Sequence, residues 1–475
     1  MRRVLYRSCL SALVLSSILA LGWGGMCGKD SPDDNSTDSS GPGSTELDNS
    51  ARIIFMVNYS LVTSSGNLMS VPITGTTPAL LGNGVSGWSV TPNKKNVLFQ
   101  TNTGALKTVP VAGGTPLELA TDVAVWQSAP DSSRIVYLTA GNNLKSVPIT
   151  GGATAPIAGA VGSFSISPDS LNIIYATIVN SAAITGELYA APITGGSNDL
   201  LSGDVPSITK TAVAADNAHI VYSSPAALLQ AVPITGGAPT ALVSGFHGWS
   251  LTPDRTRVIA LNNYSAIIFG GDLRSLYTDG SNNLRLATYV YPGTWTITSD
   301  SARVIYLGNY NSDTELCNLK SVPVTSTGLI LLDSQVWAYR LSPDTTMAVY
   351  LNGSSELRCV SVTGGAPVTL TDAPISGTAG GLAAPVMWQA ASDNTNVVFM
   401  DNFNQVFQTG DLKTAPMAGG GTVLLDSGVT TAWDIAPGDK YAIYINLAGQ
   451  LKTAPLSGDA PITLAEGVYS FQVIK

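Results

Sequence analysis

The amino-acid sequence predicts an all-β protein, a β-propeller of four-stranded blades joined in one ring of ten. Three observations carry that expectation. The stretch Leu144-Lys145-Ser146-Val147-Pro148-Ile149-Thr150-Gly151-Gly152 recurs in near-copies between residues 68 and 458. Aligned on the residue before the proline or its counterpart, the copies fall at Val71, Val109, Val147, Ala191, Val232, Leu276, Val322, Val360, Ala415 and Ala454. Their spacing is mostly 38 to 46 residues, with one interval of 55, which is the period of a four-stranded blade. No stretch between 51 and 475 shows helical apolar periodicity, while Gly 48 and Pro 27 supply turns.

Residues 1–26 read as a signal peptide. Arg2, Arg3 and Arg7 stand before or at the head of an apolar run from Cys9 to Trp23, about 15 residues and so short of the roughly 20 that a spanning helix needs. The surroundings of Cys27 resemble a bacterial lipoprotein, since a cysteine closes the apolar run and the polar stretch Gly28 to Thr37 follows. That resemblance implies lipid attachment at Cys27; Gly24 and Met26 depart from the usual processing box, and ordinary cleavage near Gly22 or Gly24 is the alternative. Residues 27–50 read as a disordered linker, being rich in Ser, Asp and Gly with too little apolar surface to offset the entropy of ordering. Residues 51–475 are the propeller.

Within each repeat four short strands follow one another. The first carries an aromatic residue, as in Trp249-Ser250-Leu251-Thr252-Pro253-Asp254, and ends in a turn. The second is apolar and β-branched or aromatic, as in Ile135-Val136-Tyr137-Leu138. It does not alternate with polar residues, as expected of a strand covered on both faces. The third is the recurring stretch itself, whose proline stands near the end of the ladder where a missing N–H costs least. The fourth is short, as in Pro239-Thr240-Ala241-Leu242, with Pro116, Pro239 and Pro367 expected on this outer edge. Trp88, Trp126, Trp249, Trp295, Trp388 and Trp433 recur before the first turn and read as core packing. The first repeat starts at its second strand, Ile53–Val57, and the last leaves Tyr469–Val473 without a partner. Pairing these two segments closes a single ring and removes two exposed edges.

These units resemble the TolB-like propeller repeat, whose blades carry a Trp-Ser-x-Ser-Pro-Asp strand and turn. Here the motif stands as Trp249 to Asp254 and as Phe164-Ser165-Ile166-Ser167-Pro168-Asp169. The resemblance implies a propeller over nearly all of 51–475. The chain has no segment like the α/β domain that precedes the propeller in TolB, and no hydrolase domain or Gly-x-Ser-x-Gly elbow like those of propeller peptidases. Fold alone does not assign function.

Charge narrows the partners. Hydrophobic residues are 44% and charged ones 12%, and the formal net charge is -9. Loss of the three leader arginines takes it to about -12 by the same count. An acidic body with no Lys/Arg cluster argues against nucleic acid. The turn aspartates Asp131, Asp169, Asp254, Asp300 and Asp344 read as turn formers; no metal site or cofactor is expected, and with His219 and His247 in different repeats no zinc or Ser-His-Asp set is legible. Cys317 and Cys359 lie on third strands of adjacent repeats, and strands of neighbouring blades usually diverge beyond the reach of a disulfide.

The candidate binding residues are those of the longer loops between second and third strands, 58–66, 178–186, 262–271, 308–315 and 401–410. Four carry an Asn-aromatic pair: Asn58-Tyr59, Asn263-Tyr264, Asn309-Tyr310 and Asn402-Phe403, with Asp313 and Asp401 beside them. The largest insertion, Thr371–Pro385, joins a fourth strand to the next first strand and so emerges on the same face. Long loops on one face and tight turns on the other suggest a binding surface; simple Asx-turn chemistry is the bland alternative. The preferred reading is a non-enzymatic binding module or scaffold of the bacterial cell envelope. It is exported, periplasmic or at the cell surface as an outer-membrane lipoprotein, and grips an envelope protein or peptide on the long-loop face. A second reading is glycan binding, since Asn with Tyr or Phe can bond hydroxyls and stack on sugars. A third is a glycan-active enzyme using Asp272, Asp313, Glu315, Asp401 or Asp411 as acid and base.

Overall fold

The computed structural model describes residues 51–475 apart from 74, 76, 179–184, 207–209, 372–374, 376–386 and 475. The segments expected to be signal peptide and linker, Cys27, most of the candidate loop 178–186 and most of the 371–385 insertion lie outside the described residues. Those described belong to one compact unit, Glu46–Lys475.

The strands form antiparallel sheets of seven, four, four, four, ten and seven members. The larger sheets are four-stranded units that share a strand. Ala79–Val90, Leu284–Ile297, Ile330–Leu341 and Val423–Ile435 each serve as the fourth strand of one unit and the first strand of the next. Counted in this way, the described residues make ten units. They are numbered here by their second strands: Arg52–Ser60, Asn96–Thr101, Arg134–Thr139, Asn172–Thr177, His219–Ser223, Arg257–Ser265, Arg303–Asn311, Met347–Asn352, Asn396–Asn404 and Tyr441–Asn446. This is a β-propeller organisation.

Two details differ from the sequence reading. Where a strand is shared, no loop separates fourth from first strand; the chain bends at residues of positive φ, Gly84, Gln335 and Gly428 in three of them and Tyr289 with Gly293 in the fourth, because a left-handed residue redirects a strand. Pro116, Pro239 and Pro367 stand immediately before the fourth strands Leu117–Ala120, Thr240–Ser244 and Val368–Thr369, not within them.

The prolines of the third strand close the ladder as expected. Each is paired with the first residue of the second strand, as in Arg52↔Pro72, Arg134↔Pro148 and Tyr441↔Pro455, so the missing donor faces the end of the sheet. The chain then turns through glycine: Gly151 has φ 80 and its N–H bonds the Pro148 carbonyl at 2.9 Å.

The core consists of clusters between consecutive units. Ile305, Cys317 and Leu319 of unit seven pack with Ala348, Tyr350 and Val360 of unit eight. Val221, Leu229 and Ala231 of unit five pack with Trp249, Val258 and Ala260 of unit six. The aromatic first-strand residues are all in such clusters, Trp249 and Trp388 buried and Trp88, Trp126, Trp295 and Trp433 half-buried. One cluster joins the last unit to the first, with Ile443, Ile445 and Leu451 against Ile53, Phe55 and Val71. Beside it the strand Val468–Ile474 pairs with Arg52–Ser60 in the register Ile53↔Val473, Phe55↔Phe471 and Met56↔Ser470.

Polar links repeat across the same seams. On the tight-turn face, the Ser132, Ser170 and Ser301 hydroxyls accept from the backbone N–H of Asn93, Asp131 and Asp254 in the preceding unit, at 3.0, 3.0 and 2.9 Å. The turn aspartates are held by their own turns. Burial alone would raise the Asp254 pKa, but hydrogen bonds from Thr252, Thr256 and Ser301 outweigh it and hold the carboxyl below its ordinary value. Lower in the sheets, Ser70 and Ser321 each donate to a carbonyl of the next unit, Val111 and Val362, at 2.6 Å. Cys317 and Cys359 are free thiols in different clusters. Burial pushes their pKa values up to about 12 and about 11.

Candidate functional site

Successive strands of each unit alternate in direction, so the hairpins between second and third strands share a face with the connections between units. The four Asn-aromatic pairs lie at the base of these hairpins, and in every case they form a β-bulge. The register slips between Val57 and Ser60, Asn262 and Ser265, Gly308 and Asn311, and Asp401 and Asn404. The asparagine carries the left-handed turn, with φ 54 at Asn58, 52 at Asn263, 54 at Asn309 and 50 at Asn402. Asparagine tolerates that region better than other non-glycine residues. In three hairpins a glycine stands eight residues on, at Gly66, Gly271 and Gly410, where a Cβ would come within 2.8, 2.7 and 2.7 Å of the opposing strand's carbonyl oxygen. The pair is thus a backbone device, whatever else its side chains do.

The aromatic partners have different fates. Phe403, expected in a surface loop, is only 8% exposed and packs with Met400 and Leu412, because the bulge turns its ring towards unit ten. Tyr59 stacks on Tyr469 at 4.0 Å. Tyr264 and Tyr310 come together around the seam between units six and seven. Tyr310 meets Tyr291 at 5.1 Å and Phe269 at 5.3 Å, while Tyr264 meets His247 at 4.8 Å. Burial, then the neighbouring Tyr310, Cys317 and Tyr264, raise the Tyr291 pKa. The sequence did not single out Tyr291, Phe269 or His247 for this cluster, since they belong to three different loops and strands.

Polar side chains at the bulges are engaged within the sheet. Asn263 Nδ2 donates to Asp272 at 3.0 Å and Asn402 Nδ2 to Asp411 at 2.7 Å. Lys320 donates to Asn309. Asp401 and Asp411 face each other across the strands of unit nine, but Asp401 is bound to Lys413 at 2.7 Å. These are cross-strand supports of the hairpin base. Asp313 and Glu315 are exposed at the tip of the unit seven hairpin. Among the described residues no three His, Cys, Asp or Glu side chains are placed to hold a metal.

The feature that sequence reading missed is at the hairpin tips. Val62 is 95% exposed, Ile267 90% and Val406 86%, and Leu61, Ile268 and Phe407 are exposed beside them. Each lies within a loop already marked as long. The apolar pairs Leu61-Val62, Ile267-Ile268 and Val406-Phe407 are legible in the sequence, but a hairpin tip cannot be told from a buried strand there without knowing where the bulge falls.

No family model matches the chain, and no curated protein matches its sequence. Among solved structures it is similar to a eukaryotic initiation factor, with a TM-score of 0.55 at 11% identity over 89% of this chain and 98% of that one. That likeness is one of fold alone. An oligogalacturonate lyase in complex with manganese aligns over 63% of this chain and 92% of its own at 11% identity and a TM-score of 0.37. TolB from Acinetobacter baumannii aligns over 49% and 63% at 16% identity and a TM-score of 0.28. These last two superpose too loosely to bear on the site.

Proposed function

We propose that the chain is a non-enzymatic binding module of the bacterial cell envelope, a single ring of ten blades that docks a protein or peptide partner on its long-loop face. The observation that carries this reading is the set of apolar hairpin tips, Leu61-Val62, Ile267-Ile268 and Val406-Phe407, standing in solvent on one face. Isolated exposed hydrophobes are ordinary; adjacent pairs raised on stiffened hairpins of three separate units have no packing role and suit a docking surface. The aromatic cluster around Tyr264 and Tyr310 lies at the base of two of the long hairpins and gives that surface a rigid floor. The ring reading is supported by the seam cluster between units ten and one and by the pairing of Val468–Ile474 with Arg52–Ser60. Export by residues 1–26 and a lipid tether at Cys27 would place this face in the envelope.

The test is cross-linking in intact cells of the full chain, its Val62→Ser/Ile267→Ser/Val406→Ser form and its Cys27→Ala form. The triple variant is expected to lose its partner cross-links while melting within a degree or two of the parent, because these tips bury nothing. An unchanged cross-link pattern contradicts the docking face. Membrane association that persists in Cys27→Ala contradicts the tether.

A further inference from the structure

Two seams of this propeller are fastened by the same three-residue device. At the seam between units seven and eight, Asp333 Oδ2 accepts from the Tyr350 hydroxyl at 2.5 Å and from Arg358 at 2.8 Å. At the seam between units nine and ten, Asp426 Oδ2 accepts from the Tyr444 hydroxyl at 2.7 Å and from Lys452 at 2.6 Å. The parts occupy equivalent positions. Each aspartate is on the fourth strand of one unit, paired in register with a leucine (Leu319↔Asp333, Leu412↔Asp426). The tyrosine and the cation face each other across the second and third strands of the next unit (Tyr350↔Arg358, Tyr444↔Lys452).

The seam between units six and seven has the tyrosine and the cation but no carboxylate. Tyr306 faces Lys320 across the strands, and the register position of the aspartate, Leu273↔Ala287, holds alanine. Tyr306 and Ala287 pack in one cluster. The Tyr306 ring is fully buried, and its hydroxyl has no hydrogen-bond partner among the described residues. A buried hydroxyl left unpaired is costly. Ala287 and Lys320 line a pocket of about 390 Å³ whose wall also includes Arg285, Tyr289 and Asn309. Burial holds the Lys320 ammonium below its ordinary pKa, whereas its counterparts in units eight and ten each rest on an aspartate. Ala120 holds the same register position, Leu106↔Ala120, and packs in one cluster with Tyr137, so alanine alone does not make a site. What distinguishes this seam is an open pocket with two cationic side chains in its lining, next to a cluster in which Ala287 packs with a tyrosine whose buried hydroxyl is unpaired.

We propose that the pocket between units six and seven binds the carboxylate group of a small ligand, which takes the place filled elsewhere in the ring by Asp333 and Asp426. Lys320, in the pocket wall, supplies the charge; Tyr306 is not in the wall, and its buried hydroxyl becomes the neutral donor only once the carboxylate fills the space beside Ala287; Arg285, more exposed and 3.8 Å from Asp272, draws the anion to the rim. The carboxylate is carried either by a free organic acid or by a peptide C-terminus; the two share this chemistry and differ in what fills the rest of the pocket. The site stands whether or not the hairpin tips dock a protein.

The test is calorimetric titration of the full-length protein with succinate, with a tripeptide bearing a free C-terminus, with the same tripeptide amidated, and with chloride and sulfate at matched ionic strength. Binding of succinate or of the free tripeptide, and not of the amidated form or the inorganic anions, is expected. The preference between the first two names the source. Ala287→Asp restores the internal carboxylate: it is expected to raise the melting temperature and abolish the titration signal. Lys320→Met is expected to weaken binding roughly tenfold or more, as loss of a charge-assisted hydrogen bond does. No heat with either carboxylate probe, equal response to sulfate, or an Ala287→Asp protein that binds like the parent would each overturn the proposal.

Discussion

Asparagine at four bulges shows how one residue can be read for chemistry when the backbone needs it first. The recurrence of Asn58, Asn263, Asn309 and Asn402 beside an aromatic was legible in the sequence, and so was the loop class that holds them. Their shared left-handed φ was not, because Asn-Tyr is equally at home in a ligand site and in a bulge. Glycine eight residues later, as at Gly66, Gly271 and Gly410, was the discriminating signal, since it marks the strand that the bulge presses against. Asn58 is exposed, so its substitution isolates the backbone term. Asn58→Gly is expected to melt within about 0.5 kcal/mol of the parent, whereas Asn58→Val should cost about 1–2 kcal/mol, the penalty of forcing a branched residue into the left-handed region. Chemical denaturation compares the two; equal stability would show that the bulge does not depend on φ at this site.

Elements repeat because each strand has one job. The aromatic first strand and the apolar second strand announced themselves at Trp249 and at Val258–Leu261, since a strand covered on both faces has little freedom of composition. The shared strands were not legible. Gly84, Gly293 and Gly428 could have flagged three of them, but Gln335 takes the same left-handed turn with no compositional trace. Nor was the Asp-Tyr-cation fastening, which unites three strands of two units. It also makes a pH prediction. Burial alone would raise the Asp426 pKa, but hydrogen bonds from Lys452, Tyr444 and Ser427 and the Lys452 charge outweigh it and lower the folded value. A lowered folded pKa contributes stability that is fully present above the unfolded value of about 3.9 and is lost as pH falls through the folded value. Asp426→Ala should therefore cost about 2 kcal/mol at neutral pH, by stranding the buried Tyr444 hydroxyl and Lys452. The gap from the parent should narrow below pH 4. Melts of both proteins across that range check the sign, and a gap that widens in acid contradicts it.

At the scale of the whole molecule, a chain of similar units has two raw sheet edges to cover. The ends of the repeat array were complementary in the sequence, where Ile53–Val57 lacked a first strand and Tyr469–Val473 lacked a unit. Strand chemistry at both ends made that visible without any long-range information. The seam cluster of Ile443, Ile445 and Leu451 with Ile53, Phe55 and Val71 is packed like the seams between other units, so a ring predicts no weak interface there. Deleting residues 468–475 measures this directly. Val468, Phe471 and Val473 alone account for on the order of 5 kcal/mol of burial at about 1.5–3 kcal/mol for a fully buried side chain, and their loss uncovers the second strand of unit one. A closed ring predicts a single cooperative unfolding transition for the full chain and, for the truncated one, a transition at much lower temperature or broken into stages. A truncated protein that melts in one transition at the temperature of the parent would contradict closure.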